Sequence, residues 1–259
     1  MKSSLLPEEF GFLNEPYTVH TSRTLMLQEL AELFRSSQPD TSTDEYSRII
    51  TESNVLAKPT LSSRNKTAKY ISQLYSLDKN MAIFRVLRFF WGRDSEGHSL
   101  MAALCAHARD SLLRAASDTV LSLPFGYELN LENLKETLEE KYPGRFSLKT
   151  LHSTAQNIAS SYQQSGHVEG RRNKIRKHTK VTPAAVTYAL FLGYLNGYRG
   201  ENLLSSIWSR LLDVPANQIL ELAHQAHKLG LMNFRKAGSV IDFGFDNLLT
   251  DRERKMLSD

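Results

Sequence analysis

Apolar residues recur at three- and four-residue steps along most of the chain, cut by proline, glycine and serine clusters, so the pattern predicts a mainly α protein. The first twenty residues read as an irregular lead punctuated by Pro7, Gly11 and Pro16. Leu25, Leu27, Leu30, Ala31, Leu33 and Phe34 then predict a helix with Thr21 or Ser22 as its cap. Residues 40–43 open the next, with Asp44 and Glu45 in its first turn and Tyr46, Ile49 and Ile50 inside. A third helix begins at Ser62 and turns Ala68, Ile71, Leu74 and Tyr75 inward, and Asp78 caps a fourth through Phe84, Leu87 and Phe90. From 95 to 123 the apolar positions predict one long, broadly buried helix that Pro124 ends.

Residues 124–180 read as one unit. A helix over 130–142 stops at Pro143-Gly144, and a second, over 148–163, carries an apolar stripe of Leu148, Leu151, Ala155, Ile158 and Tyr162. Its other face holds Lys149, Thr150, His152, Ser153, Gln156, Asn157, Ser160 and Gln163, without one carboxylate. Gly166 stops the helix, residues 167–169 start an extended segment, and Gly170 turns the chain into a basic ribbon. Helix, turn, polar helix and wing is the order of a winged helix-turn-helix. A less charged copy follows, with Thr182-Pro183 opening a helix to 196, a second helix around Trp208 over 203–212, a third from Pro215, and a strand–turn–strand over 233–243. The tail after Leu249 reads as polar and frayed. The expected architecture is an N-terminal helical bundle (1–123), two winged helix-turn-helix units with small β-hairpin wings (124–180 and 181–250), and a polar tail (251–259).

Charge sharpens this picture. The net charge of +4 hides blocks of alternating sign: −5 over 1–54, +7 over 55–93, −4 over 94–146, +6 over 147–180 and zero over 181–259. Two basic patches facing one polyanion would give this pattern, as would blocks that neutralise each other across a domain contact. Within 171–180 stand Arg171, Arg172, Lys174, Arg176, Lys177 and Lys180, with no acid among them. The candidate DNA-binding residues are therefore Lys149, Thr150, Ser153, Gln156 and Asn157 on the polar helix, Arg171, Arg172, Lys174, Arg176 and Lys177 on the wing, and Arg64, Lys66 and Lys69 in the first patch. A solvated helix face and a solubilising loop share this composition; the order of the elements favours recognition.

The remaining composition excludes more than it adds. Hydrophobic residues at 41% and charged residues at 23% fit a folded chain. The single cysteine, Cys105, allows no internal disulfide or thiolate zinc cluster and fits a reducing cytoplasm. It lies in an apolar run near His98, His107 and Asp110 with no nucleophile motif around it, so no catalytic residue, metal, cofactor or small-molecule substrate is expected. The amino terminus lacks the apolar stretch of a secretory signal. The longest apolar runs, 81–91 and 184–195, fall short of the roughly 20 residues that span a bilayer, so no membrane partner is expected.

The chain resembles the BrxA family of the BREX bacteriophage-exclusion systems over Thr18 to Asn54 with SRIITESNVLAK (47–58), in SSRNKTAKYI (62–71) and above all in TLHSTAQNIASSYQQSGHVEGRRNKIRK (150–177). The likeness spans about two-thirds of the chain. It implies a helical protein of winged-helix character that binds double-stranded DNA as an accessory in phage defence, and it carries over no catalytic residues. The expectation is a non-enzymatic DNA-binding protein of a BREX-like system. The alternative is an assembly adaptor for other proteins of that system, or a transcriptional regulator within it. RNA binding is weaker, because no aromatic stacking platform is evident near the ribbon.

Overall fold

Side-chain caps set many of the helix starts, and those at Asn130 and Thr182 were legible ahead of an apolar repeat. In the computed structural model, which describes residues 6–14, 19–238 and 240–258, α1 is Leu27–Arg35, α2 Thr43–Thr51, α3 Leu61–Tyr75 and α4 Ala82–Trp91. Pro16 of the lead and Ser239 lie outside the described residues. Ser42 and Glu45 close a capping box on α2, as Thr60 and Ser63 do on α3. Two caps differ from expectation. Thr21 ends a short 3-10 turn, and α1 starts after Met26, whose backbone is left-handed; α4 starts after Met81 rather than Asp78.

The long helix expected over 95–123 is three helices: α5 (His98–Arg109), α6 (Ser111–Ala115) and α7 (Ser117–Leu121). Asp110 makes the first break. Its backbone is extended, and its carboxylate accepts the N–H groups of Leu112 and Leu113, so it caps a new helix instead of continuing the old one.

Next come α8 (Leu131–Lys141), capped by Asn130, and α9 (Leu148–Gln164), capped by Ser147. Gly166, with φ +88°, turns the chain into the antiparallel pair β1 (Val168–Glu169) and β2 (Ile175–Arg176). Gly170 is required in this hairpin: φ is +99°, and a Cβ there would lie 2.1 Å from Asn173 O. A third segment lies along β2 on its other side. Gly126 N–H donates to Arg176 O, Arg176 N–H to Tyr127 O and Leu129 N–H to Lys174 O. So the chain just before α8 pairs with the ribbon that follows α9.

α10 (Pro183–Leu195), with Thr182 at its cap, is buried nearly all round, as expected of a helix apolar on every face. It lies against α4, α5 and α12. The helix expected over 203–212 is a 3-10 turn, Gly200–Ser205, and a short α11 (Ile207–Arg210), because the Ser206 hydroxyl accepts Ser209 N–H and restarts the helix. α12 (Ala216–Lys228) leads to the hairpin β3 (Asn233–Ala237) and β4 (Val240–Gly244). The buried apolar residues form one contiguous cluster from Phe10 to Leu249. The fold is mainly helical with two small antiparallel hairpins, and no described helix is long and apolar enough to cross a membrane.

The tail expected to fray is instead α13 (Asp251–Ser258). Thr250 and Glu253 exchange hydrogen bonds in a capping box that the sequence TDRE already spelled, and Arg85 Nη2 meets Glu253 Oε2 at 2.6 Å and donates to Leu248 O. Glu253→Ala is expected to cost about 1–2 kcal/mol and to free this helix. Hydrogen exchange at 251–258 measures it; unchanged protection would show that α13 is held by other contacts.

Candidate nucleic-acid interface

α9 can present one face only because its other faces are anchored. Leu151, Ala155, Ile158, Ala159 and Tyr162 enter the core, and two polar residues, Thr154 and Ser161, are buried with them. Ser161 is held in a chain of buried hydrogen bonds: His20 Nδ1 to Asp110 Oδ2 at 2.8 Å, and His20 Nε2 to Ser161 Oγ at 2.9 Å. Asp110 also accepts His20 N–H, and Ser161 Oγ accepts Leu25 N–H. Burial opposes ionisation of Asp110, but the charge and hydrogen bonds of His20 and the backbone N–H of Leu113 outweigh it and hold the carboxyl below its usual range. The order Asp–His–Ser is that of a hydrolase triad. Here His20 and Asp110 are 0% exposed and Ser161 2%, so the hydroxyl is out of reach of a substrate and the group fastens α9 to the amino-terminal segment. Cys105 is equally sealed, and burial pushes its thiol up to about 11.

On the outer side, Lys149, His152, Gln156 and Gln163 are exposed, and Thr150, Ser153 and Ser160 half-buried. Ser153 Oγ donates to Thr150 O within the helix. Asn157 is more committed than its place on the polar face suggested, since its amide nitrogen donates to His20 O at 2.9 Å. Leu148, expected in the inner stripe, is 87% exposed: it is the first helical residue, and the buried side starts only at Leu151.

The ribbon divides into two sets of cations. Arg176 is a correction to the expected phosphate contacts. Its side chain is fully buried, bound to Asp213 Oδ1 at 2.6 Å and to the carbonyls of His167 and Lys177, with its guanidinium over Phe125. The acid that claims it stands 37 residues away in sequence, which no local pattern reveals. Lys177 pairs with Glu169 and Lys180 with Glu96, both on the surface. Arg171, Arg172 and Lys174 have no acidic partner among the described residues; Lys174 Nζ donates to Arg171 O.

These three cations line a groove of about 520 Å³ together with Gln156, Asn157, Ala159 and Ser160 of α9 and with Leu129 and Leu131. Five of the thirteen candidate residues converge there, and no carboxylate lines it. The first basic patch does not join them. Arg64 donates to Lys58 O and Thr51 O, and Lys69 lines a separate groove between α2 and α3 beside Asp44, with Lys66 exposed nearby in sequence. Arg85 and Arg88 of the same block are tied to Glu253 and to the carbonyls of Phe34 and Ser37.

Aromatic rings do lie beside the ribbon, contrary to expectation. Phe125 (46% exposed) and Tyr127 (64%) belong to the segment along β2, and the Phe125 ring is in contact with His178. Three residues between a Pro124–Gly126 turn and an Asn130 cap are too few for a strand to be legible. Among the described residues no group of three His, Cys, Asp or Glu could hold a metal ion. No protein-family model matches the chain, and no curated protein matches it.

Proposed function

We propose that the protein binds double-stranded DNA without catalysing a reaction, with α8, α9 and the β1–β2 hairpin acting as a winged helix-turn-helix. In this reading α9 enters the major groove by its Lys149, Thr150, Ser153 and Gln156 face, and Arg171, Arg172 and Lys174 hold the adjacent backbone. One observation carries it: the groove where amide and hydroxyl groups of α9 meet three cations that no acid neutralises. The segment 126–129 supports it too, because it ties the hairpin back to the start of α8 and so fixes the wing against the helix pair. A place in phage defence, as an accessory of a BREX-like system, rests on the resemblance to the BrxA family alone. The test is a labelled duplex titrated from low to moderate salt. Because each phosphate contact releases counterions, the logarithm of affinity is expected to fall steeply with that of salt; a flat response contradicts the proposal.

An adaptor role is favoured by one feature of the second hairpin unit. Over 216–246, Lys228, Arg235 and Lys236 are matched in number by Glu221, Asp242 and Asp246, so this stretch carries no net positive charge toward a polyanion. A protein partner that co-purifies after nuclease treatment would support this role for that half.

A further inference from the structure

We infer that the groove between α9 and the first hairpin is a nucleotide site, taking one 5′-phosphorylated nucleotide unit, free or at the end of a DNA strand. The inference rests on the duplex reading only for the strand-end form. A duplex backbone passing over a surface needs cations and little else. This groove has more: a concave volume of about 520 Å³, within the range of small-ligand sites, and a wall made by Leu129 and Leu131. Leu129 is almost wholly buried behind this wall, and the half-buried Leu131 offers an apolar surface to the face of a base. The exposed Gln156 amide, which both donates and accepts, suits the polar edge of a base. Arg171, Arg172 and Lys174 supply the charge for the phosphate, and the arginine forks match its oxygens in pairs. An apolar contact at Leu131, one amide and three unneutralised cations lining a single cavity match the parts of a nucleotide.

The experiment titrates the full chain with deoxyadenosine 5′-monophosphate and, separately, with inorganic phosphate at low salt. The mononucleotide is expected to bind about tenfold more tightly, the gain coming from burial of the base. Gln156→Ala, an exposed change, should reduce that advantage while leaving phosphate binding alone; Arg172→Ala should weaken both. Equal binding of the two probes overturns the site. A second arm compares a linear 5′-phosphorylated duplex with the same sequence as a closed circle, and saturating mononucleotide is expected to remove any preference for the linear form. Affinity for the closed circle without mononucleotide binding overturns this inference and leaves the duplex reading standing. Mononucleotide binding without affinity for either duplex supports the site and overturns the duplex reading.

Discussion

Asp110→Ala is expected to lower folding stability by about 3–5 kcal/mol, the range for removing one partner of a buried, hydrogen-bonded charge pair. Four hydrogen bonds end on this carboxylate: His20 N–H, His20 Nδ1, and the N–H groups of Leu112 and Leu113. Alanine leaves those donors buried and unmatched, each at about 1–3 kcal/mol, and only partial relaxation keeps the total within the stated range. Asp110→Asn should be milder, because an amide oxygen can still cap α6 but the negative charge facing His20 is gone. The loss also reaches α9, since His20 holds Ser161 through its ring and Asn157 through its carbonyl. Chemical denaturation of the two variants measures the effect. A loss under about 1 kcal/mol in Asp110→Ala would mean that the network is incidental to the fold.

Acid is expected to destabilise the protein from about pH 6.5 downward, well above the carboxylate range. Burial pushes both His107 and His167 down to about 3, from an ordinary value of 6.5. One nitrogen of each ring donates to a carbonyl, His107 Nδ1 to Ala103 O and His167 Nε2 to Leu211 O, and the other lies within hydrogen-bond distance of a hydroxyl, that of Tyr162 or Ser165. Arg176, close to His167, opposes a second positive charge there. Unfolded histidines take up protons below about 6.5 and the folded ones do not until about 3, so stability is complete above 6.5 and declines as pH falls between these limits. At about 1.4 kcal/mol per pH unit for each ring, the two together account for roughly 4 kcal/mol between pH 6.5 and 5. Denaturation at pH 7.5, 6 and 5 reads the slope, and His107→Gln or His167→Gln should each remove about half of it. Equal stability at all three values contradicts the account.

What was legible in the sequence was local. Thr182-Pro183, Ser147 and Asn130 mark helix starts through chemistry within four residues, and Gly166, Gly170 and the 233–243 repeat mark their turns the same way. What was not legible depended on distant partners or on competition between two local signals. Nothing near Arg176 announces Asp213, and nothing near Ser161 announces His20. At Asp110 an apolar helical repeat and a strong cap competed, and the cap prevailed because its carboxylate was also needed by His20. The capping box of TDRE was readable but was outweighed by the polarity of the tail; what holds α13 is Arg85, an arginine in the first basic block. The candidate site shows the same division. Its cations and amides were readable as types, whereas the subset that faces solvent followed from ion pairs formed elsewhere.

Binding of duplex DNA by the α9 groove is the claim on which the functional reading depends. Its most direct measurement is the salt dependence of duplex affinity for the wild type and for the combined Arg171→Ala, Arg172→Ala and Lys174→Ala variant, whose three sites carry no ion pair that the fold needs. The variant is expected to fold normally, bind more weakly, and show a log–log slope shallower by about 2–3, close to one unit per lost phosphate contact. A slope and affinity equal to those of the wild type would contradict it.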